Sequence, residues 1–175
     1  MKTVLLALFA LTTTLTMYGQ LSFTVQKVDA SAVPQVVLDA QANAFPGVAV
    51  KLWEKQTATG PKSATGARYV ATFTLDGIST RARYYANGKG ISATSYMLAA
   101  KLPQAIQDAA KTNYPDYTLM SGEKIKLMSK GTFVYRVRLR KGAQKLVVYM
   151  DETGKVVSKD SLPSDVTEDE SAPQE

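Results

Sequence analysis

The stretch "VPQVVLDAQANAFPG", residues 33–47, is echoed sixty-nine positions later by "LPQAIQDAAKTNYPD", residues 102–116. Between Pro34–Pro46 and Pro103–Pro115 five of thirteen positions are identical, and Val37/Ile106 and Phe45/Tyr114 are conservative pairs. Similarity at a fixed offset marks a repeated structural unit. Each copy reads as a helix of about three turns. Pro34 and Pro103 suit the first helical position, where the missing N–H is no loss. Val33, Val37, Ala40 and Ala44 form one stripe at helical spacing, matched by Leu102, Ile106, Ala109 and Asn113. Pro46 and Pro115 push Phe45 and Tyr114 out of helical geometry and stop both helices at equivalent points.

After each helix the period falls from 3.6 to 2. In "ARYVATFTLDGISTRARYYANGK" (residues 67–89), Tyr69, Ala71, Phe73 and Leu75 alternate with Val70, Thr72 and Thr74. Asp76-Gly77 and Asn87-Gly88 are hairpin signals, and between them Ala82 and Tyr84 alternate with Arg81, Arg83 and Tyr85. The second copy has the same grammar. Tyr135, Val137 and Leu139 alternate with Arg136, Arg138 and Arg140, Gly142 turns the chain, and Leu146, Val148 and Met150 alternate with Lys145, Val147 and Tyr149 before the turn at Thr153-Gly154. With "VAVKLWEK" (48–55) and "TLMSGEKIKLM" (118–128), each unit has one helix and about four strands. Tight turns make consecutive strands antiparallel, and the helix is the natural cover for the sheet's one apolar face. The expected fold is therefore α+β, two tandem modules each with a short helix on an antiparallel sheet of about four strands.

The helix pattern, the "WEK" strand (Trp53–Lys55) and the Tyr-x-x-Asn/Asp-Gly-Lys type of hairpin together resemble the PepSY-like, beta-lactamase-inhibitor-protein-like family of secreted bacterial proteins. The likeness covers residues 33–158, with one departure at the flexible Gly88-Lys89-Gly90. It implies tandem repeats behind a signal peptide and binding through a sheet face, as in inhibitors that grip an enzyme. It brings no catalytic residues.

The ends of the chain read differently from its middle. Residues 1–20 have a basic start at Lys2, an apolar run from Val4 to Leu15 and a polar exit, the layout of a secretory signal peptide cleaved after Gly19 or Gln20. The apolar run is too short for a comfortable membrane span. Residues 21–32 read as a lead-in, 33–97 as the first module, 98–160 as the second, and 161–175 as a disordered acidic tail. That tail carries five acidic and no basic side chains, while residues 21–160 hold 20 basic and 10 acidic, a net of +10.

Composition closes several chemistries. There is no cysteine, so no disulfide and no lipid-bearing cysteine. There is no histidine either, which removes the serine, cysteine and zinc hydrolase solutions. Asp39 and Asp108 stand at equivalent helix positions, which argues for structure rather than catalysis, and Asp76, Asp116 and Asp151 sit at turns or ends. "DETGK" and "ANGK" lack the ligand spacing of calcium and phosphate loops and read as hairpin turns. No cofactor, metal or catalytic residue is expected. Trp53 reads as core.

The arginine rows remain. Arg136, Arg138 and Arg140 lie on one strand face, alternate residues about 7 Å apart. Arg81, Arg83, Tyr85 and Tyr149 share the outward parity with Val70, Val134 and Val147. Two readings stand: a solvated face, or a binding surface with the Tyr/Arg mixture found at interface hot spots. The leading functional expectation is an exported, periplasmic or secreted, non-enzymatic module that binds an envelope or extracellular protein through this face and inhibits it if that protein is an enzyme. The alternative is a basic binder of an envelope polyanion, lipopolysaccharide or an acidic glycan. Nucleic acid is not expected as a partner, nor a membrane span after signal cleavage.

Overall fold

The computed structural model describes residues 22–59 and 66–167; residues 1–21, which include the signal-like segment, residues 60–65 and residues 168–175 of the acidic tail lie outside them. The elements run β1 (Ser22–Val28), α1 (Gln35–Ala44), β2 (Val50–Thr59), β3 (Ala67–Leu75), β4 (Ile78–Tyr85), β5 (Gly90–Leu98), α2 (Gln104–Asn113), β6 (Thr118–Leu127), β7 (Thr132–Lys141), β8 (Gln144–Met150), β9 (Val156–Val157) and a one-turn α3 (Ser164–Thr167). All nine strands form one antiparallel sheet in chain order. The halves are thus joined: β5 pairs with β6 over seven residue pairs, from Ser92↔Leu127 to Leu98↔Ser121. Residues 22–28, expected as a lead-in, form edge strand β1, paired along its whole length with β2.

Both long helices lie on the same face. Val37 and Ile106 are wholly buried. α1 sets Val33, Val37 and Phe45 against Trp53, Tyr69, Phe73 and Tyr84. α2 sets Leu102, Ile106 and Ala110 against Tyr135, Val137, Leu139, Val148 and Met150. The register Met97↔Gly122↔Val137↔Val148 carries this apolar side through the junction and into the second half. Gly122 is needed there because a Cβ would come within 2.9 Å of Leu102 Cδ2.

The local chemistry behaves as the sequence predicts, with one shift. Pro34 and Pro103 are the caps just before the helices rather than their first residues, and their carbonyls accept from the Val37 and Ile106 N–H groups at 2.9 and 3.0 Å. The helices end at Phe45 and Tyr114. Gln35 donates to Asp39 and Gln104 to Asp108, each at 2.8 Å, so those two aspartates have matching structural duties. Asp76 and Gly77, both at positive φ, make the tight β3–β4 turn.

The tail reading changes most. Residues 161–167 are not a solvated end: Leu162 and Val166 pack on Ile125, Leu127, Val134 and Tyr149, and Val166 is 4% exposed. These partners have the parity opposite to the helix-covered side chains, so the C-terminal segment straps the other face of the sheet. The cause is apolar surface within "SLPSDVT": a leucine and a valine, four apart, find an uncovered apolar patch.

Candidate functional site

The face free of α1 and α2 carries every residue proposed for binding. Its side chains are ordered in rows by the strand register. One row runs Glu123↔Arg136↔Tyr149↔Val157 across β6–β9. The next runs Leu98↔Ser121↔Arg138↔Val147 across β5–β8. Beyond it lie Thr118, Arg140 and Lys145. In the first half, Arg83 opposes Val70 and Ser92, and Arg81 opposes Thr72 and Thr94.

Shared parity does not mean shared exposure. Arg83 and Arg136 are each 2% exposed and Tyr149 4%, so these three, expected to face solvent, are interior residues of the far face. Arg81 and Tyr85 are half-buried, Arg138 is partly open and Arg140 is exposed. For Arg136 and Tyr149 the reason is Glu123, fully buried on the adjoining strand, together with the C-terminal strap. Arg136 Nε donates to Glu123 Oε2 at 2.6 Å, and its Nη2 pairs with the same oxygen. Arg138 Nη1 meets Glu123 Oε1 at 2.6 Å. One carboxylate is thus shared by two guanidinium groups, and a buried charge survives only with such pairing. Burial works against the charge on Arg136, but Glu123 and a hydrogen bond with Tyr149 outweigh it and raise its pKa above the ordinary arginine value.

Arg83 is different. Its Nη1 reaches Thr94 Oγ1 at 3.3 Å. Burial lowers its pKa; Tyr96 opposes that, while Arg81, Arg68 and Arg136 push in the same direction. Arg81 in turn is bonded to Glu54 Oε2 at 2.5 Å.

The accessible part of the face lies elsewhere. Leu98 is 74% exposed and Val147 37%, in the same row as Arg138, whose side chain is 39% exposed. A groove of about 430 Å³ adjoins Leu98, lined by Asp76, Ile78, Ser79, Tyr96, Leu98 and Lys101. Leu98 and Tyr96 were hidden in sequence because "YMLAAKL" reads as a run into the helix, although their parity with Thr94 and Ser92 places them on this face. Glu123 was hidden in "GEKIKL", where the apolar residues Ile125 and Leu127 have the far-face parity and the lysines the helix-side one. Trp53 is core, as expected, at 6% exposure. Among the described residues no three carboxylates gather as a metal site would require.

No family model matches the chain, and no curated protein does. Solved structures do. A BLIP-like protein from Bacteroides fragilis has a TM-score of 0.58 at 22% identity, covering 71% of this chain and 84% of that one. A Bacteroides eggerthii protein predicted to be periplasmic has a TM-score of 0.55 at 17% identity, covering 72% and 86%. A DUF2874 family protein from Bacteroides ovatus has a TM-score of 0.55 at 14% identity, covering 71% and 84%. The chain has a BLIP-like fold.

Proposed function

We propose that the protein is an exported, non-enzymatic binding module that recognises an envelope or extracellular protein with the accessible rows of the helix-free face. The observation that carries this is the row Leu98–Ser121–Arg138–Val147, an exposed Leu and Val either side of a guanidinium fixed on a rigid sheet. Apolar groups standing in water beside an ordered cation are what a hot spot needs and what a solvated face avoids. Arg140 and Lys145 extend the row as its polar rim, and Tyr96 and the groove extend it across β5. Arg83, Arg136 and Tyr149 then act beneath the surface, holding the sheet that displays it. If the partner is an enzyme, occlusion by this face makes the module inhibitory.

Export rests on the signal-like residues 1–20, and a periplasmic destination is supported by the expected location of the Bacteroides eggerthii neighbour. Among the described residues no helix is long and apolar enough to cross a membrane. A non-enzymatic role is supported by the absence of histidine and cysteine and by the engagement of Glu123 with two arginines. We also read the chain as a duplicated PepSY-like unit, because the Gln–Asp helix bonds and the proline-capped helices recur at one offset.

The test is affinity capture from an envelope extract with the wild-type protein and with Leu98→Asp/Val147→Asp. Wild type is expected to retain a discrete protein that the folded variant loses. Equal recovery by both removes this surface from the account. The polyanion reading draws on the net charge of residues 21–160 and predicts capture of glycan or lipopolysaccharide instead, lost as salt shortens the Debye length.

A further inference from the structure

The turn that follows β8 matches the turn that follows β4. Asp151 N–H donates to the Lys155 carbonyl at 2.9 Å and Gly154 N–H to that of Asp151 at 3.0 Å. Tyr85 N–H likewise donates to Lys89 at 3.0 Å and Gly88 N–H to Tyr85 at 2.9 Å. From its turn β5 runs back along β4 as far as Thr80↔Ser95. β9 leaves β8 after Tyr149↔Val157, and the chain turns away at Lys159–Ser161. Counted back from Asp151 and Tyr85, Val147 holds the place of Arg81. Arg81 has Thr94 of β5 beside it, whereas no described strand lies on the outer side of Val147. The backbone there is turned outward. Gly142, at φ 57°, opens a two-residue turn between Lys141 and Gln144, and such a turn closes on a hydrogen-bonded pair from which the pairs alternate. Lys141↔Gln144, Leu139↔Leu146 and Val137↔Val148 bond each other, so the N–H and C=O of Lys145 and Val147 point away from β7. Both residues are exposed.

We infer that this edge of β8 takes an extended segment of the partner protein as a further antiparallel strand, one in which acidic and apolar residues alternate. The inference rests on the reading of the Leu98–Val147 row as the recognition surface and adds how the partner is held. In a strand laid against β8, residues opposite Lys145 and Val147 point to the helix-free side and the one between them to the helix side. The helix-free side is basic. Thr118, Arg140 and Lys145 form a row without a carboxylate, and Arg140 and Lys145 stand directly opposite, a like-charge pair that an incoming carboxylate relieves. Asp116 does not serve there, being paired with Lys141 at 2.8 Å. On the helix side Leu146 is half-buried at the margin of the α2 core, and an apolar side chain opposite it completes the cover. Main-chain bonds to Lys145 and Val147 then hold the segment, and its alternate side chains select it. A second copy of this chain does not fit. Its two long edges, β1 and β8, carry Lys27 and Lys145 and no acid, so they repel the same edge they would join.

The test is amide–solvent exchange by NMR on the full chain, with a blocked peptide of alternating valine and glutamate as probe, 7 residues long like β8. Saturating peptide is expected to slow exchange at the Lys145 and Val147 amides by about tenfold, equivalent to about 1.4 kcal/mol. The same peptide with its glutamates N-methylated keeps every charge but loses the donors aimed at β8, and is expected to leave both amides fast. Unchanged exchange with the first peptide overturns the inference. So does equal slowing by the N-methylated peptide, which reports charge attraction alone, or by a peptide of alternating valine and lysine. Slowing that grows with protein concentration in the absence of peptide puts a second copy on the edge and equally overturns it. Capture from envelope extract separates this inference from the surface it rests on. Lys145→Pro removes the outward N–H and the charge at an edge position, where proline is tolerated. A partner lost by Leu98→Asp/Val147→Asp but kept by Lys145→Pro sinks the added strand and leaves the surface standing.

Discussion

Glu123 and Arg136, directly opposite on β6 and β7, form a buried ion pair that reaches the surface through Arg138. The pair is fully enclosed, yet its third member is partly open, so the same carboxylate stabilises the interior and orients a surface cation. Removing the shared carboxylate leaves Arg136 charged and buried. Glu123→Gln is therefore expected to destabilise the protein by about 3–5 kcal/mol, the cost of breaking a buried pair. Arg138→Ala, at the open end, is expected to cost no more than about 1 kcal/mol. Urea unfolding of the two variants checks the contrast, and equal losses contradict it.

Two hairpin glycines fasten the helices. Gly88 lies under α1, where a Cβ would stand 2.7 Å from the Val36 carbonyl oxygen, and Gly154 under α2, where it would stand 2.8 Å from that of Ala105. Both are at positive φ, as is Gly142, which has open space around it. Gly142→Ala thus meets only the left-handed backbone cost, about 1–2 kcal/mol. Gly88→Ala and Gly154→Ala meet that cost and a backbone clash, and each is expected to lower stability more than Gly142→Ala does. Thermal unfolding of the three variants decides it.

How much of this was legible in the sequence follows from what each signal depends on. The helices were, because proline placement and the Val37 and Ile106 stripes are local. The alternation of strands β3, β4, β7 and β8 was too: every apolar residue assigned to the helix side by parity lies there. Exposure was not, because parity says which face a side chain takes and nothing about what stands over it. Arg136 reads as a surface cation until Glu123 is placed on the neighbouring strand, and that pairing is set by the hairpin register that runs unbroken from Leu127↔Thr132 to Ser121↔Arg138. β1 was missed for a related reason. "SFTVQKV" has too few apolar residues to announce a strand, and it is recruited by the edge of β2 rather than by its own pattern.

The shared sheet has a consequence for folding. Trp53, the only tryptophan, is buried in the first half, and Ile106 in the second. With β5 and β6 paired along seven residue pairs, damage to one half is felt by the other. Ile106→Ala is expected to cost about 2–5 kcal/mol and to shift the Trp53 fluorescence transition together with the circular-dichroism transition. A Trp53 transition that stays in place would show two independently folding lobes.

Acid should weaken the turn between β8 and β9. Asp151 Oδ1 accepts from the Thr153 hydroxyl at 2.6 Å and from the Thr153 and Lys155 N–H groups at 2.9 and 3.1 Å. These bonds, the Thr153 side chain foremost, hold its carboxyl below the ordinary value of 3.8. A depressed carboxylate contributes stability that is fully present well above 3.8 and is lost as pH falls through its lower folded value. Asp151→Asn removes that contribution, so the melting temperature of the variant should fall less steeply than wild type between about pH 5 and pH 2. Parallel curves would contradict the assignment.

The recognition surface itself is tested most directly by hydrogen exchange on the protein bound to its captured partner. Slowed exchange is expected along the ends of β5 to β8 that hold Leu98, Ser121, Arg138 and Val147, with α1 and α2 unchanged. Slowed exchange on the outer sides of α1 and α2, with those strand ends unaffected, would contradict it.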